Sequence, residues 1–313
     1  MNKNDKIYVA GHKGMVGSAI VRKLKKEGFK NIITRTHQEL DLTNQQKTFD
    51  FFQKEKPEYV FLAAALVGGI MGNKNYIADF CYQNMMIQNN VIYNAHITGV
   101  KKLLFLGSSC IYPRNCEQPI KEEYLLTSPL EESNEGYAIA KISGLKLCQY
   151  YNRQYGTNFI SCMPSNMYGS ENDNYDLETS HVLPGLLMKF HKAKVNNSPE
   201  VVCWGTGSPK REFIHVNDIV DACIHLMNNY EGDSTVNIGL GIDISIKELT
   251  EIIADIVEYK GIITWDTSKP DGTPRKLLDT SLMESIGWKY KIGIKEGIKS
   301  TYKKLLEVHP DFK

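Results

Sequence analysis

No stretch of this 313-residue chain is long and apolar enough to cross a bilayer. Its longest apolar run, residues 59–72, falls short of the ~20 residues a spanning helix needs and is broken by glycines. The first six residues hold no apolar segment ahead of the first strand, so no export signal is expected. Excess charge is missing too. Lys and Arg number 37 against 36 Asp and Glu, a net charge of +1. That balance offers nothing to nucleic acid or to an anionic membrane surface, and the basic tract 22–26 sits at helical spacing as a solvated face. Seven cysteines include no Cys-x-x-Cys pair and no matched histidines. A disulfide framework and a zinc site are therefore not expected, and the thiols read as reduced, in a cytoplasm. Internal repeats and low-complexity linkers are absent as well.

What is present is the composition of an ordinary globular protein, 42% hydrophobic and 23% charged. The length suits one large domain or two that share an interface. Residues 6–10 form a short apolar strand and lead into Gly11-His12-Lys13-Gly14-Met15-Val16-Gly17, after which a helix is expected over 18–27. Strand, glycine turn and helix are the setting a dinucleotide fingerprint requires, with the pyrophosphate at the helix N-terminus. A second strand, 31–34, is followed by Arg35-Thr36-His37 rather than a carboxylate. An acid there would bind the ribose hydroxyls of NAD. Arg35, with Lys13 and His37, favours the 2′-phosphate of NADP instead.

Further on, Asp41-Leu42-Thr43 signals the start of a helix that ends before Pro57, and 59–65 reads as a strand buried in a parallel sheet. A long helix is expected over roughly 75–98, with Met85, Met86 and Ile87 in the core or at a subunit contact. The strand 102–106 runs into Gly107-Ser108-Ser109-Cys110-Ile111-Tyr112-Pro113. Polar residues at the carboxyl end of a parallel strand lie where open α/β sheets bind ligands. Ser108 is the candidate donor to a substrate carbonyl, although a serine in such a turn also serves as a backbone cap. Tyr137-Ala138-Ile139-Ala140-Lys141 then places a phenol and an ammonium one helical turn apart. An ammonium beside the phenol favours phenolate and draws its pKa from ~10 toward neutrality, so the pair can exchange a proton with a carbonyl oxygen. The remaining expected elements are a strand at 158–163, a polar loop over 171–179, mixed strand and turn to 216, a helix at 218–228 and a strand at 235–238. Basic loops follow, including 269–276.

The glycine triplet, Ser108, the Tyr137–Lys141 pair and the 211–218 stretch resemble the extended short-chain dehydrogenase/reductases. Longer runs, 11–20, 107–113, 137–141, 148–156 and 269–276, look like the GDP-L-fucose synthase family across essentially the whole chain. The fold implied is α/β, a Rossmann-type doubly wound parallel sheet with a smaller C-terminal domain. Residues 1–166, with about 213–240, would bind NADP(H), and 167–212 with 241–313 would bind the nucleotide sugar. The resemblance implies epimerisation of GDP-4-keto-6-deoxy-D-mannose at C3 and C5, then reduction at C4 by NADPH. Ser108, Tyr137 and Lys141 would serve the reduction, and Cys110 with His181 the epimerisation. Cofactor contacts are implied at Gly11 to Gly17, Arg35, His37, Leu106, Gly107, Lys141, Pro164, Asn166, Met167 and His181. Substrate contacts are implied at Ser109, Lys189, Trp204, Arg211 and Asp271, and a homodimer through helices of the first domain.

Three departures from the family pattern stand out. Lys13 and Lys189 occupy positions where Arg is usual, and His37 one where a second Arg is common. Lys lacks the fork with which Arg grips a phosphate. The loop between Tyr168 and His181 is also one residue longer. An alternative that keeps the fold is therefore a C4-reductase only, acting on a GDP-4-keto-hexose or heptose that another enzyme has epimerised. A tightly NAD-bound 4-epimerase or 4,6-dehydratase is disfavoured by Arg35. A non-catalytic NADP sensor has no use for a proton donor at Tyr137.

Overall fold

The computed structural model describes residues 1–170, 173, 175, 180–269 and 271–308. In the first half β1 (Lys6–Ala10), β2 (Asn31–Ile33), β3 (Tyr59–Leu62), β4 (Lys102–Leu106) and β5 (Phe159–Pro164) alternate with helices. These are α1 (Met15–Lys26), α2 (Gln45–Glu55), α3 (Ile70–Asn75), α4 (Ile77–Ile97) and α5 (Glu135–Tyr155). The second half holds β6 (Asn166–Tyr168), β7 (Glu200–Trp204), β8 (Lys210–Arg211), β9 (Phe213–His215) and β10 (Val236–Ile238). It continues with β11 (Ile244–Ser245), β12 (Ile262–Asp266) and β13 (Arg275–Lys276). Its helices are α6 (Val182–Val195), α7 (Val216–Asn229), α8 (Ile246–Val257), α9 (Ser281–Ser285) and α10 (Ile294–Val308).

Six strands form one parallel sheet in the order β10-β5-β4-β3-β1-β2. Strands β3, β4 and β5 are apolar almost throughout because helices cover both faces. One core layer packs α1 and α7 against the sheet through Ile20, Leu24, Ile219 and Cys223. The other packs α2, α4 and α5 through Phe52, Val91, Ile92 and Leu145. A third cluster, around Leu187, Phe190, Leu249, Ile253 and Ile298, lies in the second half of the chain. Chain order reverses between β1 and β3, and such a switch point opens a ligand crevice at the carboxyl ends of the strands.

Several boundaries differ from expectation. Helix α1 begins at Met15, inside the glycine turn, with Gly14 as its N-cap and no side chain capping it. Asp41 does not start α2; its carboxylate accepts the Thr43 amide and hydroxyl in a separate turn. Asn44 caps the helix by accepting the Lys47 amide at 2.9 Å. The long helix expected over 75–98 is α4, Ile77–Ile97, and the unexpected short helix α3 precedes it, separated by Tyr76, which leaves the helical region at φ −124°, ψ 39°. Strand β3 stops at Leu62, and β2 at Ile33. The longer 171–179 loop falls mostly outside the described residues.

Candidate active site

The glycine turn is shaped by contacts that no side chain could share. Gly11 sits at φ +81°, and a Cβ there would come within 2.7 Å of the Ala64 backbone at the end of β3. At Gly17 a Cβ would fall on the Gly11 carbonyl oxygen, so this glycine lets α1 press onto the turn. Gly14 meets nothing nearer than 3.4 Å. The first-turn N–H groups of α1 carry no side-chain cap and no acidic neighbour, which suits a pyrophosphate. His12 is half-buried, Lys13 exposed, Met15 half-buried and Val16 buried.

Arg35 is paired within the fold. It is not an uncommitted cation: its guanidinium donates to Glu55 at 2.6 Å and to the Thr34 carbonyl at 2.8 Å, beside the Phe51 ring. Glu39 is near as well. Hydrogen bonds from Thr36 hold that carboxyl below its ordinary range, with Arg35 and His12 adding to the effect. His37 is exposed, with Nδ1 3.9 Å from Asp41. In the region implied for the 2′-phosphate, Arg35 and His37 thus each have an acid beside them.

The catalytic candidates converge where β4 and β5 end. Ser108 caps the short 3₁₀ turn Ser109–Ile111, its Oγ accepting the Cys110 amide at 3.3 Å. The capping role and the position at the strand end therefore coexist. Ser109 and Cys110 are buried. The turn is held by β10: the Tyr112 hydroxyl donates to Asn237 Oδ1 at 2.6 Å, and Asn237 Nδ2 donates to the Ile120 carbonyl at 2.9 Å. On α5, buried Lys141 donates to the Leu106 carbonyl at 2.9 Å. Its Nζ lies 4.9 Å from the Phe105 ring centre and 5.7 Å from that of Tyr137.

Electrostatics correct one expectation. Lys141 was to draw Tyr137 toward phenolate, yet burial pushes that phenol above its usual range, and the Cys110 charge adds to the rise. Burial also lowers Lys141 to about 8, against the pull of Cys110 and Cys162. Desolvation outweighs the attraction here, because both side chains leave water and the ammonium points at a carbonyl rather than at the hydroxyl. The phenol rests in its neutral, proton-donating form.

Cys110 completes the group. Burial raises its thiol, while Lys276, the Ser108 hydroxyl and Lys141 favour the thiolate. From sequence alone a lysine in the 269–276 run reads equally well as solvated. Strand β13 pairs with β8 in the register Lys276↔Arg211, and burial lowers both cations. The signal for Lys276 was its place in the 269–276 run.

Other candidates lie around this centre. Met167 is half-buried, Leu106, Gly107 and Pro164 are buried, and Asn166 donates from Nδ2 to the Glu212 carbonyl. His181 is the N-cap of α6, with its ring free of capping duty; burial lowers its pKa although the residue as a whole is exposed. No hydrogen bond joins His181 to Cys110 among the described residues. Trp204 is exposed at the end of β7, with Lys269 Nζ 5.7 Å from its ring centre. Lys189 donates to the Val202 carbonyl, so its ammonium is committed to backbone near that tryptophan. Asp271 accepts the Thr206 amide and hydroxyl, each at 2.7 Å, and braces the turn rather than standing open. Among the described residues no group of His, Cys, Asp and Glu could hold a metal ion, and no helix is long and apolar enough to cross a membrane.

Comparison with known proteins matches the same features. The NAD dependent epimerase/dehydratase family covers residues 7–239. GDP-L-fucose synthase from Escherichia coli (strain K12) is 50% identical over 317 residues, spanning 98% of each chain. GDP-L-fucose synthase 1 from Arabidopsis thaliana is 56% identical over 301 residues, 96% of this chain and 93% of the relative. Among solved structures, a GDP-mannoheptose C4 reductase from Campylobacter jejuni with NADP bound is 45% identical, with a TM-score of 0.90 over 97% of this chain and 99% of that one. With Tyr137, Lys141 and Ser108 gathered at the strand ends beside the glycine turn, the chain belongs to the NAD dependent epimerase/dehydratase family, within its GDP-L-fucose synthase group.

Proposed function

We propose that the protein is an NADPH-dependent reductase of a GDP-linked 4-keto sugar, with 3,5-epimerisation of GDP-4-keto-6-deoxy-D-mannose preceding reduction at C4. The observation that carries this reading is the convergence of Ser108, Tyr137, Lys141 and Cys110 on one turn, with Lys276 and Arg211 beside it. Bound NADPH supplies the hydride. Tyr137, held neutral, gives its proton to the C4 oxygen, and Ser108 donates a second hydrogen bond to the same oxygen. Lys141 would hold the cofactor's ribose. Cys110 and His181 act as the acid–base pair at C3 and C5, and Arg211, Trp204 and Lys276 receive the nucleotide diphosphate.

Residues 1–166 with about 213–240 hold the cofactor in this reading, and the remainder holds the sugar nucleotide. A second reading, C4 reduction alone on a hexose or heptose epimerised elsewhere, draws support from the 45% identity to the mannoheptose C4 reductase. Incubation with a panel of GDP-4-keto hexoses and heptoses decides the substrate. NADPH should be consumed faster with the 6-deoxyhexose than with any heptose, and faster than NADH. Arg35→Asp should abolish the cofactor preference by replacing a cation with a further carboxylate where a 2′-phosphate must sit. Equal use of both cofactors by wild-type protein would sink the assignment of Arg35.

The likeness to this group also implies a homodimer, and the surface supports it. Tyr82, Tyr93 and Ile97 are exposed on one stripe of α4, with Ile139 and Tyr150 on one stripe of the adjacent α5. Exposed apolar side chains grouped in this way suit a protein–protein contact. Sedimentation equilibrium should return twice the 35.5 kDa chain mass, and a single-chain mass would refute it. A cytoplasmic setting agrees with seven free thiols.

A further inference from the structure

Glu212 is fully buried, and its carboxylate does no work in the chemistry above. Water is excluded from it, so only well-placed donors make a carboxyl tolerable there. Those donors come from two separate segments. Oε1 accepts the Leu240 amide at 2.5 Å and the Gly241 amide at 2.6 Å, and Oε2 accepts the Leu278 amide at 3.4 Å. Even so, burial raises its pKa to about 7. Gly239 is the approach that allows this, since a Cβ there would collide with the carboxylate.

The placement of the two segments matters more than their number. Leu240 and Gly241 lead into β11, which pairs antiparallel with β8 in the register Ile244↔Arg211. Leu278 follows β13, which pairs with β8 in the register Lys276↔Arg211. One carboxylate therefore grips the way into one neighbour of Arg211 and the way out of the other. Glu212 is also the next residue to Arg211, whose Nη1 donates to the Lys210 carbonyl at 2.8 Å. Its own carbonyl accepts Asn166 Nδ2 at 2.8 Å, tying the same point to β6. On the far side, 277–279 is clamped to the catalytic turn's continuation: the Ile120 amide donates to the Leu277 carbonyl at 2.7 Å, and the Asp279 amide to the Ile120 carbonyl at 2.8 Å.

We propose that Glu212 is a positioning residue for nucleotide-sugar binding, holding β11 and β13 against β8 so that Arg211 and Lys276 meet the diphosphate together. The inference rests on the reading that Arg211 receives the diphosphate. In Glu212→Gln one oxygen can still accept Leu240 and Gly241, but the amide NH₂ faces the Leu278 N–H and the exit of β13 loosens. Kd for GDP and KM for the keto sugar should rise about tenfold, as expected for loss of one buried acceptor. Turnover should stay within about threefold and NADPH affinity within about twofold. Glu212→Asp keeps the charge with a shorter reach and should fall between. Because the segment loosened is the one that carries Lys276, Lys276→Ala/Glu212→Gln should bind GDP little worse than Lys276→Ala alone.

Full additivity in that cycle would overturn the proposal, as would an unchanged GDP affinity in Glu212→Gln or parallel weakening of GDP and NADPH. A reading on wild-type protein guards against variants that do not fold. GDP alone should slow hydrogen exchange at the amides of Leu240, Gly241 and Leu278, and unchanged exchange with GDP bound would equally overturn it. Failure of the underlying function looks different: wild-type protein would then bind no GDP, or would take UDP equally well.

Discussion

Tyr137→Phe should lower turnover of the keto sugar by ~10²–10⁴-fold, the usual worth of a positioned general acid, with NADPH affinity within about twofold of wild type. The substitution removes one hydroxyl and leaves a ring that still packs on α5 above Lys141. The structure sharpens this expectation, because burial keeps the phenol protonated well above neutral pH. The donor form is thus constant over the working range, and the alkaline limb of the pH profile belongs to Lys141. Its folded pKa is lowered to about 8, so the ammonium is present below that value and lost as pH rises through it. Turnover should decline above about pH 8 in wild type. A Tyr137→Phe enzyme with near-normal turnover would remove the pair from the mechanism.

Cys110→Ser should abolish solvent exchange at C3 and C5 while sparing reduction of a ketone already epimerised. The 4-ketone acidifies both positions, since the enolate charge rests on the oxygen that Ser108 and Tyr137 address. Inversion then needs a base on one face of the ring and an acid on the other. Cys110 is buried beside Lys276 and Lys141, two cations that oppose the desolvation raising its thiol; burial lowers the pKa of the His181 imidazole. In D₂O with oxidised cofactor, wild-type protein should carry deuterium into C3 and C5, and Cys110→Ser should not. Wild-type protein that shows no exchange, yet reduces the pre-epimerised ketone, is a C4-reductase alone, and Cys110 is a packing residue.

The sheet was legible because its strands are long apolar runs punctuated by glycine, and the parallel alternation follows from that pattern. The glycine turn was legible for the same local reason, although where α1 begins was not. A helix start depends on which backbone N–H groups find partners, and here Gly14 takes the cap within the motif. The Tyr137–Lys141 spacing survives folding, but its electrostatics could not be read from it: the sign of a pKa shift depends on burial, which a spacing of four does not report. Arg35 shows the same limit. Its partner Glu55 lies 20 residues away, so sequence displayed a cation and not the ion pair. Asp271 and Lys276 belong to one basic run in the sequence, yet Lys276 lies in β13 near Cys110 and Asp271 folds back on Thr206.

Asn237 belongs to the last strand of the sheet, yet it holds the catalytic turn through a Tyr112 hydroxyl 125 residues earlier in the chain. A ribosome adding about 5–20 residues per second delivers the glycine turn and the Tyr137 helix well before the strand that steadies Ser108. The nascent chain can thus complete the local fingerprint first, while the reactive turn waits on a distant pairing of the slow, high-contact-order kind. Truncations ahead of β10 should therefore be silent as enzymes even where the first five strands assemble.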